Sequence, residues 1–172
     1  MIDRMIRAAR LDIQLYEEVE HRGDLTSQAL TVVVLVSVLS GVGLFLSQAI
    51  SGQVGQAIGG LILGAIAAIV GWVVWSFLTY WIGTTFLGGT ATYGELLRTI
   101  GYASSPNALR ALGFIPVVGG IIVLVASLWT LVAGVVAVRQ ALDFSTGRAI
   151  VTVVIGWVPM VIIMVLFMAR SM

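Results

Sequence analysis

The sequence predicts an all-α, polytopic membrane protein, a helical bundle preceded by an amphipathic helix. Apolar residues make up 59% of the 172 residues and charged residues only 10%, against roughly 25% charged residues in a typical soluble domain. Ten of the 17 charges lie in the first 24 residues, and residues 25–94 then carry none. So few charges cannot cover the surface of a soluble protein, which excludes a soluble domain, a disordered chain and a nucleic-acid-binding protein.

The charged N-terminal segment predicts one amphipathic helix over residues 2–20, with Gly23 as its C-terminal cap. Residues 1–24 are therefore expected to form a cytoplasmic unit ahead of a transmembrane domain over residues 25–172. The apolar side chains of the helix recur at helical spacing, as Ile2, Met5, Ile6, Ala9, Ile13, Tyr16 and Val19.

Four apolar runs each have the length and composition of a transmembrane helix. A bilayer core of about 30 Å needs about 20 apolar residues in helical conformation. The second run is expected to end before Tyr80 and Trp81, which suit the membrane interface, and Pro159 is expected to kink the last. The predicted spans cover residues 28–47, 57–79, 121–138 and 149–168.

Residues 96–115 form a weaker candidate span, because they carry Arg98 and Arg110 and include Pro106. This segment predicts either a weak transmembrane helix or a re-entrant segment. Arginines favour the cytoplasmic side of a membrane. With Arg110 left aside, five spans place seven arginines inside and one outside, whereas four spans place six inside and two outside. The distribution favours five spans, with a cytoplasmic N-terminus and an external C-terminus.

Three segments of the chain resemble the prokaryotic branch of the Yip1-domain family of integral membrane proteins. They are residues 4–30 with the apolar run that follows, residues 92–106, and residues 144–149 before the last span. The resemblance implies five transmembrane helices and a cytoplasmic N-terminus, but it supplies no catalytic residues. Eukaryotic members are linked to vesicle traffic and small GTPases, which are not the usual context of a prokaryotic protein. The residues of the central family motif are Tyr93, Glu95, Leu97, Arg98, Gly101, Tyr102 and Pro106.

Several chemistries are excluded or disfavoured by what the sequence lacks. It has no cysteine and one histidine, His21, which precedes the first span. It has no zinc-protease, serine-hydrolase or phosphate-binding-loop motif. The predicted spans contain no Asp, Glu or Lys, which argues against a proton-driven pump. We therefore predict a non-enzymatic protein of the Yip1 type, without cofactor or metal, acting through protein or lipid interaction in the cell membrane.

Two other functions remain open at this stage. The first is a small permease or channel, in which the break at Pro106 and Asn107 would line a path. The second, less favoured, is a membrane enzyme that acts on a lipid through Arg110.

Two groups of residues are candidate contact sites. Asn107 and Arg110 are candidates for binding a lipid phosphate or another anion, although an arginine in a span can also extend to the headgroups. The second group, on the N-terminal helix, is expected to be an exposed acidic patch, either solvated or a docking site for a cytoplasmic protein. That patch consists of Tyr16, Glu17, Glu18 and Glu20.

Small residues repeat at four-residue spacing along the spans, which allows helix backbones to approach closely. These stripes predict tight packing within the chain or, alternatively, a homodimer within the lipid bilayer. They comprise Ser37 and Gly41; Gly55 and Gly59; Gly60, Gly64 and Ala68; and Ala126, Thr130 and Gly134.

Overall fold

The computed structural model describes residues 1–52 and 54–156, with side chains described for all of these except residues 54–58 and 60. Within these ranges all regular secondary structure is helical, so the predicted all-α class is confirmed. Two 3-10 helices, Gly23–Leu25 and Ser105–Leu112, interrupt the α-helices. The α-helices are α1 (Ile2–Ala9), α2 (Ile13–His21), α3 (Thr26–Ile50), α4 (Val54–Phe86), α5 (Tyr93–Ala103), α6 (Gly119–Ala141) and α7 (Thr146–Gly156).

Three helices in the described ranges are long and apolar enough to cross a membrane. They cover Gly23–Ile50, Leu61–Phe86 and Gly119–Ala141, and they overlap the predicted spans 28–47, 57–79 and 121–138. The second helix does not end before Tyr80, where the predicted span ends, but continues to Phe86. The predicted span 149–168 begins within α7, and its second half, including Pro159, lies outside the described residues. The total of five spans stays a prediction.

The N-terminal segment contains two helices where the sequence predicts one, so the prediction of a single helix over residues 2–20 is wrong. Leu11 has a φ of 60°, a left-handed conformation that ends a helix and is uncommon outside glycine. Asp12 then begins α2, because its carboxylate accepts a hydrogen bond from the Gln14 amide at 3.0 Å. We call α1 and α2 together the N-terminal hairpin.

The buried face of the N-terminal hairpin agrees only in part with the predicted one, which included Tyr16 and Val19. Ala8, Leu15, Tyr16 and Val19 are fully buried, and they form one core with residues of α3, α5 and α6. The isoleucines expected on the apolar face, Ile2, Ile6 and Ile13, are instead exposed. The hairpin is thus packed onto the bundle through its second helix rather than detached from it. The domain boundary at residues 24–25 stays a prediction.

The weak candidate span is not one continuous helix. Its α-helical part ends at Ala103, and the 3-10 helix that follows has Pro106 in its first turn, where the missing N–H of proline is tolerated. Three contacts order the segment along α3. Gly101 faces Ala29, the Ser40 hydroxyl donates to the Asn107 carbonyl at 3.1 Å, and Gly43 packs on the Arg110 backbone.

These contacts follow the same order in both parts of the chain, so residues 101–110 run parallel to α3. The part of α3 between the first and last contact rises about 21 Å. Helix α6 then returns in the opposite direction. It begins with Gly119 packed against Gly113, at the far end of the segment. It ends where Gln140 bonds to Glu17 of α2, the helix that precedes the start of α3. The segment therefore follows the course that a third crossing would take, although a different helix type forms half of it.

Candidate functional site

A cavity of about 820 Å³ lies within the bundle. Its walls are formed by α3, α4 and α6 together with α5 and the second 3-10 helix. Its α3 wall extends from Val33 to Ser47, which is about 21 Å of helix. Most of its lining is apolar, and one wall residue, Leu44, is 52% exposed at the outer surface of the bundle. The cavity therefore opens through an apolar surface, where hydrocarbon would surround the protein.

The two residues predicted to contact a lipid or an anion both line this cavity. Asn107 and Arg110 lie one turn apart on the second 3-10 helix, whose backbone is held against Ser40 and Gly43. Arg110 is exposed, and no carboxylate of the described residues forms an ion pair with it. The structure thus brings a guanidinium and an amide to one cavity.

Other polar groups in the cavity lining also lack partners. The Asn107 Oδ1, Trp75 Nε1 and Thr130 Oγ1 atoms are buried and make no hydrogen bond in the described part of the chain. A buried polar group without a partner costs about 1–3 kcal/mol. A ligand that offers both donors and acceptors would reduce this cost. The sequence analysis assigned Trp75 no role beyond packing, because periodicity alone cannot show which tryptophan faces a cavity.

The small-residue stripes help to form this cavity. Ser37, Gly41, Gly64, Ala68, Thr130 and Gly134 all line it. Gly41 packs on Leu61 of α4, and Gly134 packs on Trp75. These contacts lie within one chain and agree with the packing alternative, whereas the homodimer stays a prediction.

The central family motif forms the junction between the N-terminal hairpin and the bundle. Glu95 and Thr92 form a reciprocal cap at the start of α5, in which the Thr92 amide donates to the Glu95 carboxylate at 2.7 Å. Arg98 is 8% exposed and donates to the carbonyl of Val19 at 2.8 Å and to the carbonyl of Glu20. A guanidinium therefore occupies the C-terminal end of α2, where helix carbonyls lack partners.

The remaining motif residues attach α5 to its neighbours. The Leu97 carbonyl accepts a hydrogen bond from Trp72 of α4 at 2.9 Å, and the Tyr93 hydroxyl donates to the Val73 carbonyl at 3.2 Å. Tyr102 is fully buried and bonded to the Gln28 side chain. A β-carbon at Gly101 would lie 3.0 Å from the Ala29 β-carbon, so a larger residue here would crowd α3. Pro106 is buried in the 3-10 helix.

The prediction of an exposed acidic patch on the N-terminal helix is wrong for two of its four residues. Tyr16 is fully buried, with its hydroxyl donating to the Ala8 carbonyl at 3.1 Å, and burial raises its pKa. Glu20 is only 8% exposed. Glu18 forms ion pairs with Arg4, Arg7 and Arg22, and Glu17 alone is exposed. These side chains cover two faces of α2, so they cannot form one patch.

Glu20 instead lies among other carboxylates where α2 meets the bundle. Burial raises the pKa of its carboxyl to about 7; the charge of His21 opposes this rise, and those of Glu17, Glu95 and Asp143 add to it. His21, at the exposed end of α2, hydrogen-bonds through Nδ1 to the Glu17 carbonyl at 2.9 Å. No local pattern predicts this cluster, because its members come from three parts of the chain that are distant in sequence.

Comparison with known proteins assigns the chain to a family. The sequence model of the Yip1 domain matches residues 14–169. This match includes α2 and all the helices that follow it in the described ranges. A search of curated proteins and a search of solved structures each return no match. Because the family match covers most of the chain, the protein is a membrane protein that belongs to the Yip1-domain family.

Proposed function

We propose that this protein binds a phospholipid with an anionic headgroup in the cavity between α3, α4 and α6, and acts in membrane organisation through that lipid. The observation that supports the proposal most directly is the pairing of an apolar cavity wall with Arg110 and Asn107 in the same space. A phospholipid has the same two parts, an acyl chain and a phosphate. The proposal is for a binding protein and not for an enzyme.

The dimensions of the cavity suit one acyl chain. Its volume of about 820 Å³ lies within the range of roughly 300–1,000 Å³ typical of pockets for small ligands. Its α3 wall of about 21 Å exceeds the hydrocarbon depth of one leaflet, about half of a 30 Å core. An acyl chain can enter through the exposed surface at Leu44 without crossing a polar barrier.

Arg110 is suitably placed to hold the phosphate. Its backbone packs on Gly43, about 26 Å along α3 from its first residue. The Arg110 backbone therefore lies in the half of the bundle away from the start of α3, from which we expect its long side chain to extend to the headgroups of the far leaflet. Guanidinium groups bind phosphate with two parallel hydrogen bonds, and Asn107 adds an amide donor.

The permease or channel alternative has less support. No carboxylate of the described residues lines the cavity, and ion-coupled pathways usually need one. Flux of ions or small solutes through proteoliposomes containing the protein, above that of empty vesicles, would favour this alternative.

In this proposal the protein lies in the cell membrane, with its N-terminus in the cytoplasm and its C-terminus outside. A single cysteine at Ser145 tests this topology, since the chain has no cysteine of its own and Ser145 is exposed. The five-span arrangement predicts that an impermeant external label leaves this cysteine unmodified. Labelling from outside would refute it. Docking of a cytoplasmic protein would involve Glu17 and its exposed neighbours and not Tyr16.

Lipid binding is tested by native mass spectrometry of the purified protein with anionic and zwitterionic phospholipids. We expect Arg110→Gln to weaken binding of the anionic lipid by roughly 10–100-fold, because a hydrogen bond from a charged group contributes about 1.5–3 kcal/mol. Arg148→Gln is the matched control, since Arg148 is exposed and does not line the cavity. Equal affinity of both variants for the anionic lipid would contradict the proposal.

A second pair of variants tests the cavity without changing charge. Gly64 lines the cavity, and a β-carbon there would have no atom within 4 Å, so Gly64→Leu should fold and fill the space. Gly59 on the same helix also has open space but does not line the cavity. We expect Gly64→Leu to lose bound lipid and Gly59→Leu to retain it.

A further inference from the structure

We propose that the C-terminal end of α2 binds a divalent transition-metal ion such as Zn²⁺ through Glu17, Glu20 and His21. The carboxylate oxygens of the two glutamates and a ring nitrogen of the histidine lie within 4.8 Å of one another. The residues occupy positions i, i+3 and i+4 of one helix, which share a face. The sequence analysis predicts no metal, and this inference is independent of the lipid cavity.

Glu20 is the observation that distinguishes this site from an ordinary acidic surface. The residue is more than nine-tenths buried, and its carboxylate makes no hydrogen bond or ion pair in the described part of the chain. The nearby cation, Arg98, is bonded to the backbone carbonyl of Glu20. A carboxylate on a largely buried side chain, without a hydrogen bond or an ion pair, is costly in its charged form, and its oxygen lies beside the ligand atoms of Glu17 and His21. A bound cation would compensate that charge.

The hydrogen bond made by His21 leaves one of its ring nitrogens free to bind a metal. Its Nδ1 lies 2.9 Å from the Glu17 carbonyl oxygen. Because a carbonyl only accepts, Nδ1 must carry the proton, which leaves Nε2 of the neutral ring with a free lone pair. Metal-ligating histidines commonly donate their other ring N–H to a backbone carbonyl or a carboxylate in this way.

The surroundings complete the site. The Gln140 amide of α6 donates to one carboxylate oxygen of Glu17 at 2.5 Å, which holds that carboxylate and leaves its other oxygen for a metal. The charges of Glu95 and Asp143 reach the Glu20 carboxylate and add negative potential. Ligand bonds of about 2.0–2.2 Å require the three side chains to close by roughly an ångström.

The donor set indicates the class of ion. Imidazole together with carboxylates suits Zn²⁺ or Mn²⁺ more than Ca²⁺ or Mg²⁺, which prefer sites made only of oxygen. Three protein ligands leave a further position for water. Because α2 also joins the hairpin to the bundle through Arg98, a bound ion would strengthen that junction.

The experiment measures Zn²⁺ binding to the full chain without a polyhistidine tag, in nanodiscs, by isothermal titration calorimetry and metal analysis. We expect one ion per chain, at least tenfold weaker binding in His21→Gln and in Glu20→Gln, and unchanged affinity in Asp24→Asn. Asp24 is an exposed carboxylate outside the cluster. X-ray absorption of the loaded protein should show nitrogen and oxygen ligands at about 2.0–2.1 Å.

His21→Gln is the decisive variant, because His21 is exposed and its replacement should not prevent folding. Absence of stoichiometric Zn²⁺ binding to the unmodified chain overturns the proposal. Equal affinity of His21→Gln and the unmodified chain also overturns it, since the ion would then be bound elsewhere.

Discussion

Replacing Arg98 with leucine should release the N-terminal hairpin from the bundle. The guanidinium is 8% exposed and bonds to two carbonyls at the end of α2, with the Nε–Val19 oxygen distance at 2.8 Å. Leucine fills a similar volume but donates nothing, so both carbonyls lose their partner. At about 1.5–3 kcal/mol for each hydrogen bond from a charged donor, the loss is about 3–6 kcal/mol. This is a large part of the stability of a typical domain.

Hydrogen exchange followed by mass spectrometry measures this loss locally. A loss of 3 kcal/mol increases exchange through local opening by more than a hundredfold, so the amides of α2 should exchange much faster in Arg98→Leu. Arg98→Lys keeps the charge but not the two-carbonyl geometry, and should show an intermediate effect. Arg148→Gln should leave the exchange of α2 unchanged. Exchange of α2 at the unmodified rate in Arg98→Leu would refute the role assigned to Arg98.

Three further predictions concern the N-terminal hairpin and the contact of α5 with α3. Tyr16→Phe removes one buried hydrogen bond and should lower the unfolding free energy by about 1 kcal/mol in thermal denaturation; no change would mean that the bond contributes nothing. Gly101→Leu should separate α5 from α3 and destabilise by about 1–3 kcal/mol, and normal thermal stability would contradict the close approach. Arginine partners hold the pKa values of Asp12 and Glu18 below their usual range. Their stabilisation is present above about pH 4 and lost as pH falls through the lowered values, so the protection factors of the hairpin amides, which compare measured with intrinsic exchange rates, should fall there; protection factors that do not change with pH would contradict this.

The membrane class and three of the spans could be predicted from sequence because each depends on local composition. A run of about 20 uncharged apolar residues matches the hydrocarbon thickness wherever the rest of the chain lies. The same local logic predicted α6 to within a few residues at each end. It left residues 96–115 open between a weak transmembrane helix and a re-entrant segment, because hydropathy averages over a window and does not register the change from α to 3-10 geometry near Pro106.

The candidate binding residues could be identified from the sequence, but the cavity that they line could not. Arg110 and Asn107 were identified because an arginine in an apolar segment is unusual. Their cavity also needs residues of α3, α4 and α6, which no local pattern connects with them. Tyr16 shows the opposite error, because acidic neighbours suggested exposure while its own face of α2 is covered by the bundle.

The sequence by itself determined that the chain enters a membrane, where its apolar runs lie, and which common catalytic motifs are absent. These follow from composition, because the bilayer acts on each segment separately. Only the tertiary structure decided that Arg98 caps a helix 78 residues earlier in the chain, that the N-terminal hairpin packs on the bundle, and that Glu20 is buried beside His21. Such contacts depend on which helix faces meet, and that is settled by the packing of the whole bundle rather than by any one segment.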